Sequence, residues 1–559
     1  MSAADQPVLE LRGLSVSLPP GGDRPLAVES VDLSVAREEI LCIVGESGSG
    51  KSMVAHAIMG LLPEPHVKVA GGEALLNGEN LLTMSRARQR AVRGVGMGMI
   101  FQEPMTALNP LMRVGEQIEE ALRLHSPLDS RGRRARVLEL LNDVGLPNPG
   151  DLRRSYPFRL SGGQRQRVMI AIALALEPSL LIADEPTTAL DVTTQKQILD
   201  LVRKVQADKG MGVIFITHDF GVVAEIADSV AVMQHGQCVE YDVADKVLNQ
   251  PQHPYTRELI AAVPHYIEHR ADFTREGDPL LTADAVRKVF RVGSGFLRKG
   301  RELIAADDVS LTIHPGETVG VVGESGSGKS TLGRCIVGLH QADGGRIVFQ
   351  GTDLVGLSRK AFRPFRKDVQ MIFQDPYASL NPRYRVADII SQGPIAFGTP
   401  RKQAHARAEE LLELVGLDPS AARRYPHEFS GGQRQRISIA RALALDPKLL
   451  IADEPVSALD VSVQTQVLDL LDDIRHQLGL SMLFITHDLR VAAQVCDTVA
   501  VMQTGKVVEM GSCREVFSNP QHAYTRTLLD AIPGQDWEIP EDLRHLRAQR
   551  ARRPRELSQ

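Results

Sequence analysis

The string GESGSGKS occurs twice, at Gly45–Ser52 and again at Gly323–Ser330, each time between a short apolar run and a helical pattern. A loop of the form GxxxxGK[ST] that leaves a strand and opens a helix restricts the fold more than any other feature of this chain. Its glycines let successive backbone N–H groups turn inward, and the following helix brings its positive end to the same place, so phosphate is the natural occupant. On this reading Gly45, Glu46, Ser47, Gly48, Ser49, Gly50, Lys51 and Ser52 form one nucleotide loop. Gly323, Glu324, Ser325, Gly326, Ser327, Gly328, Lys329, Ser330 and Thr331 form the other. Lys51 and Lys329 reach the β- and γ-phosphates, while Ser52 and Ser330 are placed for Mg²⁺.

The repetition extends well beyond the loops. FQEPMTALNP at Phe101 answers to FQDPYASLNP at Phe373, LSGGQRQR at Leu160 to FSGGQRQR at Phe429, LLIADEP at Leu180 to the same string at Leu449, and FITHD at Phe215 to Phe484. Lys329 follows Lys51 by 278 residues and Glu454 follows Glu185 by 269, so the two halves share nearly one internal spacing. The expected division is 1–264, a linker at 265–283, a second domain at 284–535 and an Arg-rich tail at 536–559. Within it Glu541–Gln559, with Arg544, Arg547, Arg550, Arg552, Arg553 and Arg555, reads as a solvated end, with anionic lipid headgroups as the sharper alternative.

Periodicity points to an α/β fold. Ile40–Val44, Leu180–Ala183, Val213–Thr217 and Thr318–Val322 are brief apolar, β-rich runs that read as buried parallel strands, and Met53–Leu62 and Leu332–Leu339 read as helices. At 559 residues the chain exceeds a single core. A net charge of −5 gives no general basic field, so nucleic acid is not an expected partner. Five dispersed cysteines (Cys42, Cys238, Cys335, Cys496 and Cys513) form neither a CxxC pair nor a disulfide framework, which fits a reduced compartment. No signal peptide is expected from MSAADQPVLEL. The apolar run Val168–Leu176 stops at Glu177 and Pro178, short of a membrane span.

Asp184 and Glu185, like Asp453 and Glu454, end an apolar strand, where the carboxyl edge of a parallel sheet faces a nucleotide crevice. An Asp there can hold Mg²⁺ and the adjoining Glu can act as general base toward a water. Ser161 and Gln164 have the spacing of a helix capping box, and the intervening Gly162 and Gly163 leave bare amides that can also meet an anion.

These motifs occur in one order in both halves: P-loop, FQ loop, LSGGQ signature, apolar strand ending in DE, the ALD loops at Ala189–Asp191 and Ala458–Asp460, and the THD histidines. In this the chain resembles the ATP-binding cassette ATPases. The resemblance implies two tandem P-loop domains, each with a RecA-like α/β core, an antiparallel β subdomain and an α-helical signature subdomain. It also implies an intramolecular cassette dimer, in which each ATP is clamped between the P-loop of one half and the signature of the other. Carried over by residue, Lys51, Ser52, Gln102, Asp184, Glu185 and His218 would face Ser430, Gly431, Gly432 and Gln433. Lys329, Ser330, Gln374, Asp453, Glu454 and His487 would face Ser161, Gly162, Gly163 and Gln164. Glu185, Glu454, His218, His487, Gln102 and Gln374 take the catalytic roles, and Ser52, Gln102, Asp184, Ser330, Gln374 and Asp453 the Mg²⁺ site.

One departure is the aromatic residue that such ATPases place near the first strand to stack on adenine. No Phe, Tyr or Trp precedes Phe101 in the first half, whereas the second has Phe290 and Phe296, so tighter nucleotide binding is expected at Lys329. The tails NQPQHPYTRELIAAVP at Asn249 and SNPQHAYTRTLLDAIP at Ser518 resemble the C-terminal element of peptide, nickel and opine importer ATPases. No cysteine lies between Cys238 and Cys335, which argues against the iron–sulfur centre of some relatives. The resemblance implies uptake of an oligopeptide, dipeptide, glutathione or similar solute, with two polytopic permease subunits and an extracytoplasmic solute-binding protein. It places the chain peripherally on the cytoplasmic face of a bacterial inner membrane. The alternative is a soluble tandem cassette ATPase that acts on ribosomes or nucleic acid; the short linker with Glu268, Asp272 and Asp278 argues against it.

Overall fold

The computed structural model describes residues 6–21, 24–188, 190–264, 273–292, 301–457 and 459–544. The chain forms two compact units, one made of Met1–Leu190, Thr194–Val263 and Pro533–Gln559, the other of Asp191–Thr193 and Pro264–Ile532.

The first unit is built on a six-stranded sheet ordered Gln237–Val243, Ser229–Gln234, Ile40–Val44, Gly212–Thr217, Leu180–Asp184, Met97–Ile100. Every neighbouring pair is parallel except the outermost Gln237–Val243, which runs antiparallel. Ile40–Val44, Leu180–Asp184 and Gly212–Thr217 are buried at every position, as strands covered on both faces must be. Pairing of Val44 with Thr217 and of Asp184 with Ile216 brings three strand ends to one edge. The loops that follow them therefore emerge together.

A four-stranded antiparallel sheet, ordered Leu26–Val35, Leu9–Ser17, Lys68–Leu76, Glu79–Asn80, packs its apolar face against the sheet's other side. The helices Val114–His125, Ser130–Asp143 and Gly162–Ala173 contribute Ile118, Leu140 and Val168 to a shared apolar core. The helix after the first P-loop spans Lys51–Met59 rather than Met53–Leu62, because Gly60 turns left-handed (φ 61°) and ends it.

The second unit repeats the plan. Its six-stranded sheet runs Val369–Ile372, Leu449–Asp453, Ser481–Thr486, Thr318–Val322, Thr498–Gln503, Lys506–Ser512, and its antiparallel sheet Arg301–Ile313, Leu281–Val292, Gly344–Phe349, Thr352–Asp353. The strand Leu281–Val292 begins inside the expected linker because Leu281 and Ala283 are buried in the unit's core. Residues 265–272, with Glu268 and Asp272, lie outside the described residues, as do Ala189, Phe296, Ala458 and the tail arginines beyond Arg544.

The start of the expected tail is folded. Ile539 and Leu543 are buried in the first unit's core, the Trp537 indole donates to Asn249 Oδ1 at 3.1 Å, and Arg257 pairs with Asp542 at 2.7 Å. A solvated reading of Glu541–Gln559 overlooks Leu543, which is buried.

Candidate functional site

Each P-loop sits between a buried strand and a helix, and its last glycine shows why the motif requires that residue. Gly50 (φ 106°) and Gly328 (φ 105°) are left-handed, and a Cβ on them would lie 2.5 Å from Ala27 O and 2.0 Å from Ala305 O. The helices they open, Lys51–Met59 and Lys329–Ile336, have no side-chain cap, so their first N–H groups remain open to a ligand. Lys51 Nζ donates to the carbonyls of Gly45 (2.7 Å) and Glu46 (2.8 Å), and Lys329 Nζ to those of Gly323 and Glu324 (both 2.7 Å). Both ammonium groups are thereby folded back into the loop.

The strand-end acids divide their work as their positions dictate. Ser52 Oγ donates to Asp184 Oδ1 at 3.0 Å, and Ser330 Oγ to Asp453 Oδ1 at 2.7 Å. Burial pushes both Asp carboxyls up, and Asp453 Oδ2 is buried with no hydrogen-bond partner. A hydroxyl beside a desolvated carboxylate is a donor set for a hard cation that completes its shell with phosphate and water, which fits Mg²⁺. Among the described residues no group of three or more His, Cys, Asp or Glu could hold an ion by itself.

Glu185 (φ 45°) and Glu454 (φ 47°) are left-handed non-glycine residues, a strained conformation that recurs at functional positions. Their N–H groups are tied to Ile216 O (3.0 Å) and Ile485 O (2.9 Å) on the neighbouring strand. Glu185 Oε2 accepts from Gln102 Nε2 (3.0 Å) and Thr188 Oγ1 (3.0 Å), with His218 Nδ1 at 3.6 Å. Glu454 Oε2 accepts from Gln374 Nε2 (2.8 Å), with His487 Nδ1 at 3.3 Å. Burial pushes the Glu185 carboxyl up, but contact with His218 and the charge of Lys51 outweigh it and hold it at about 2. Glu454 is lowered by the same balance of burial against His487 and Lys329. In return His487 is raised: burial lowers it, and Glu454 more than compensates.

The structure thus brings together, within each unit, the loop lysine and serine, the Asp–Glu pair, the histidine and the FQ-loop glutamine. The signature residues enter none of these hydrogen bonds. Ser161 caps the helix Gly162–Ala173, accepting from Gln164 N at 3.3 Å while Gln164 Oε1 accepts from Ser161 N at 3.1 Å. Ser430 and Gln433 cap Gly431–Leu443 with the same two distances. The expected capping box is present, and its glycines have a packing reason too: a Cβ on Gly163 would meet Thr194 Cγ2 at 2.6 Å, and one on Gly432 would meet Val463 Cγ1 at 2.4 Å.

Four contacts carry no motif in the sequence. Thr188 donates to the Glu carboxylate in the first unit only, since Ser457 Oγ instead donates to the Glu454 carbonyl at 3.2 Å; its one sequence signal is a hydroxyl three residues after the Glu. Arg24 donates to the Gly48 carbonyl, with no motif to announce it. Tyr255 and Tyr524, in the duplicated C-terminal elements, accept a hydrogen bond from the P-loop amides of Glu46 and Glu324, both at 3.1 Å. Their signal was the repeated tyrosine itself.

Comparison with known proteins identifies the family. The family model for the ABC transporter matches residues 28–188 and 306–457, and that for the oligopeptide/dipeptide transporter C-terminal region matches 239–287 and 508–558. The glutathione import ATP-binding protein GsiA of Salmonella paratyphi A is 48% identical over 560 residues, covering 95% of this chain and 90% of the relative. The protein of the same name from Escherichia coli O157:H7 is 48% identical over 557 residues, covering 94% and 89%. Among solved structures, the ATP-binding cassette MJ0796 in a dimeric post-hydrolysis state is 28% identical, with 42% of this chain and 99% of that chain covered and a TM-score of 0.38. On the family models and the 48% identity over 95% of its length, the chain belongs to the ABC transporter family, carrying its cassette twice and an oligopeptide/dipeptide transporter C-terminal region after each copy.

Proposed function

We propose that this ATPase is the energy-supplying subunit of an importer for glutathione or a related peptide-like solute. The observation that carries the reading is the pairing of two matching sets of Lys, Ser, Asp, Glu, Gln and His, each with a half-buried Glu held by Gln and beside His, with two peptide-transporter C-terminal elements. The names of the relatives support glutathione as the first solute to test.

Each unit supplies the groups that hold and orient nucleotide. The P-loop helix ends and Lys51 or Lys329 bind the phosphates, and Gln102 with His218, or Gln374 with His487, fixes the Glu carboxylate. Mg²⁺, held by Ser52 and Asp184 or by Ser330 and Asp453, would supply charge neutralisation on the phosphate oxygens. Glu185 and Glu454 accept the proton of the attacking water. Both are anions before nucleotide arrives, and the phosphate charge raises their proton affinity toward that of a useful base.

The capped signature helices complete the account. Their exposed ends are suited to close on nucleotide held by the P-loop of the other half, Ser430–Gln433 on the Lys51 site and Ser161–Gln164 on the Lys329 site. ATP then draws the halves together through contacts that exist only in the closed form, and hydrolysis removes them.

Two polytopic permease subunits and an extracytoplasmic solute-binding protein are the proposed partners, with the chain peripheral on the cytoplasmic face of a bacterial inner membrane. Among the described residues no helix is long and apolar enough to cross a membrane. Beside the FQ loops, Met105 (60% exposed) and Leu111 (85%) in the first unit and Tyr377 (63%) in the second offer apolar and aromatic surface to a permease. Co-purification with two membrane proteins, and ATP turnover stimulated by glutathione-loaded binding protein in vesicles, tests the reading. An ATPase that no permease binds, and that sediments with ribosomes, contradicts it.

A further inference from the structure

The C-terminal element has no assigned task in hydrolysis, yet in both units it touches the P-loop through one atom. In the first, the phenol oxygen of Tyr255 accepts from Glu46 N at 3.1 Å, while the Glu46 carbonyl accepts from Lys51 Nζ at 2.8 Å. In the second, Tyr524 accepts from Glu324 N at 3.1 Å, and the Glu324 carbonyl accepts from Lys329 Nζ at 2.7 Å. The residue whose carbonyl holds the loop lysine is therefore gripped at its amide by the tyrosine.

The tyrosines are themselves held. Each is 8% exposed and stands in the first turn of a helix, Pro254–Ala262 or Ala523–Asp530. His253 Nδ1 accepts from Tyr255 N at 3.3 Å and His522 Nδ1 from Tyr524 N at 3.2 Å. The turn before each helix is pinned by one carboxylate: Glu240 accepts from the amides of Gln252 (2.8 Å) and His253 (3.1 Å), and Glu509 from those of Gln521 (2.7 Å) and His522 (3.0 Å). The arrangement is unchanged where Ala523 replaces Pro254, so the proline is not what it depends on. Glu240 and Glu509 lie on the outermost strands of the two main sheets, so a chain of contacts runs from sheet edge to phosphate loop.

We propose that Tyr255 and Tyr524 are positioning residues for ATP: each hydroxyl fixes the second residue of its P-loop and so preorganises the loop before nucleotide arrives. The proposal rests on the ATPase reading and adds a role for the C-terminal element. A loop that is already ordered loses less freedom on binding, so the hydroxyl acts on affinity rather than on the chemical step.

The test uses the full chain with Tyr255→Phe, Tyr524→Phe and the double variant, which remove only the hydroxyl and keep the buried ring. Equilibrium binding of a non-hydrolysable imidotriphosphate analogue of ATP and steady-state ATP turnover are measured beside thermal unfolding without nucleotide. The expected result is about a two- to tenfold weaker analogue affinity and a matching rise in KM, the worth of one hydrogen bond. kcat at saturation should stay near the parent's. Glu240→Gln, which loosens the turn without touching the loop, should shift affinity in the same direction by less. Unchanged affinity in both tyrosine variants, or a loss confined to kcat or to unfolding temperature, overturns the proposal while leaving the ATPase reading intact. A parent chain that binds no analogue at all would instead overturn the ATPase reading and this proposal with it.

Discussion

The two units carry the same reacting atoms in the same arrangement and differ in what surrounds them. Lys, Ser, Asp, Glu, Gln and His correspond one for one, and the Ser–Asp and Gln–Glu distances agree within 0.3 Å (3.0 and 2.7 Å; 3.0 and 2.8 Å). Around them, Leu18, just past the strand Leu9–Ser17 and nine residues after Leu9, matches Phe290, which lies within the strand Leu281–Val292 nine residues after Leu281. Lys288 Nζ lies over the Phe290 ring at 5.3 Å, and His340 meets the ring edge-on at 5.4 Å. Beside the FQ loops, Met105, Leu111 and Met112 correspond to Tyr377, Arg383 and Tyr384. The two sets of polar side chains match between the units, while the surroundings at the Leu18/Phe290 position and beside the FQ loops differ.

The largest effect should come from the groups the units share. Replacing both Glu185 and Glu454 by Gln is expected to cut ATP turnover by about 10²- to 10⁴-fold with nucleotide still bound, as the loss of a general base predicts. Near-parental turnover would show that another group takes the proton. The single variants sharpen the comparison, because equal losses mean that both sites fire and unequal ones that one site dominates.

Next is a stability difference. Leu543→Ala empties a site that is 0% exposed in the first unit's core, and should cost that unit about 2–5 kcal/mol. Calorimetry should show the first unit's transition moving down and the second's staying in place; a uniform shift would mean that the units do not unfold separately.

Affinity should then divide the sites. Lys51→Ala leaves the site with Phe290, and Lys329→Ala leaves the one with Leu18. Stacking worth about 1–3 kcal/mol makes the first variant bind ATP roughly 5- to 150-fold more tightly than the second. Equal affinities in a titration would remove the aromatic ring from the account.

The smallest effect belongs to Thr188. Thr188→Val deletes one hydrogen bond to Glu185 Oε2 and should lower kcat about two- to tenfold, whereas Ser457→Ala, whose hydroxyl bonds only a carbonyl, should leave it unchanged. A loss in both would point to the loop rather than to the carboxylate.

Much of this molecule is legible from residue order because its chemistry is local. GESGSGKS, the apolar strands ending in Asp–Glu and the Ser–Gln capping boxes each fix a short backbone geometry, and both copies fold as read. What escaped depends on contacts across long sequence separations. Tyr255 meets Glu46 across 209 residues, and Trp537 meets Asn249 across 288. No periodicity encodes such pairs. The P-loop helices end earlier than their apolar patterns for a different reason: Gly60 stops the first although the pattern continues through Leu61 and Leu62, and the second spans Lys329–Ile336 rather than Leu332–Leu339.

The central claim is that each ATP is sealed by both halves, and pairing loop and signature substitutions in one chain tests it most directly. If the Lys51 loop works with Ser430–Gln433, then Lys51→Ala with Ser430→Arg disables a single site twice and should retain the nucleotide occupancy and turnover of Lys51→Ala alone, whereas Lys51→Ala with Ser161→Arg should lose both sites. The reverse pattern, with Lys51→Ala and Ser161→Arg behaving as one lesion, would mean that each half closes its own site and would contradict the account.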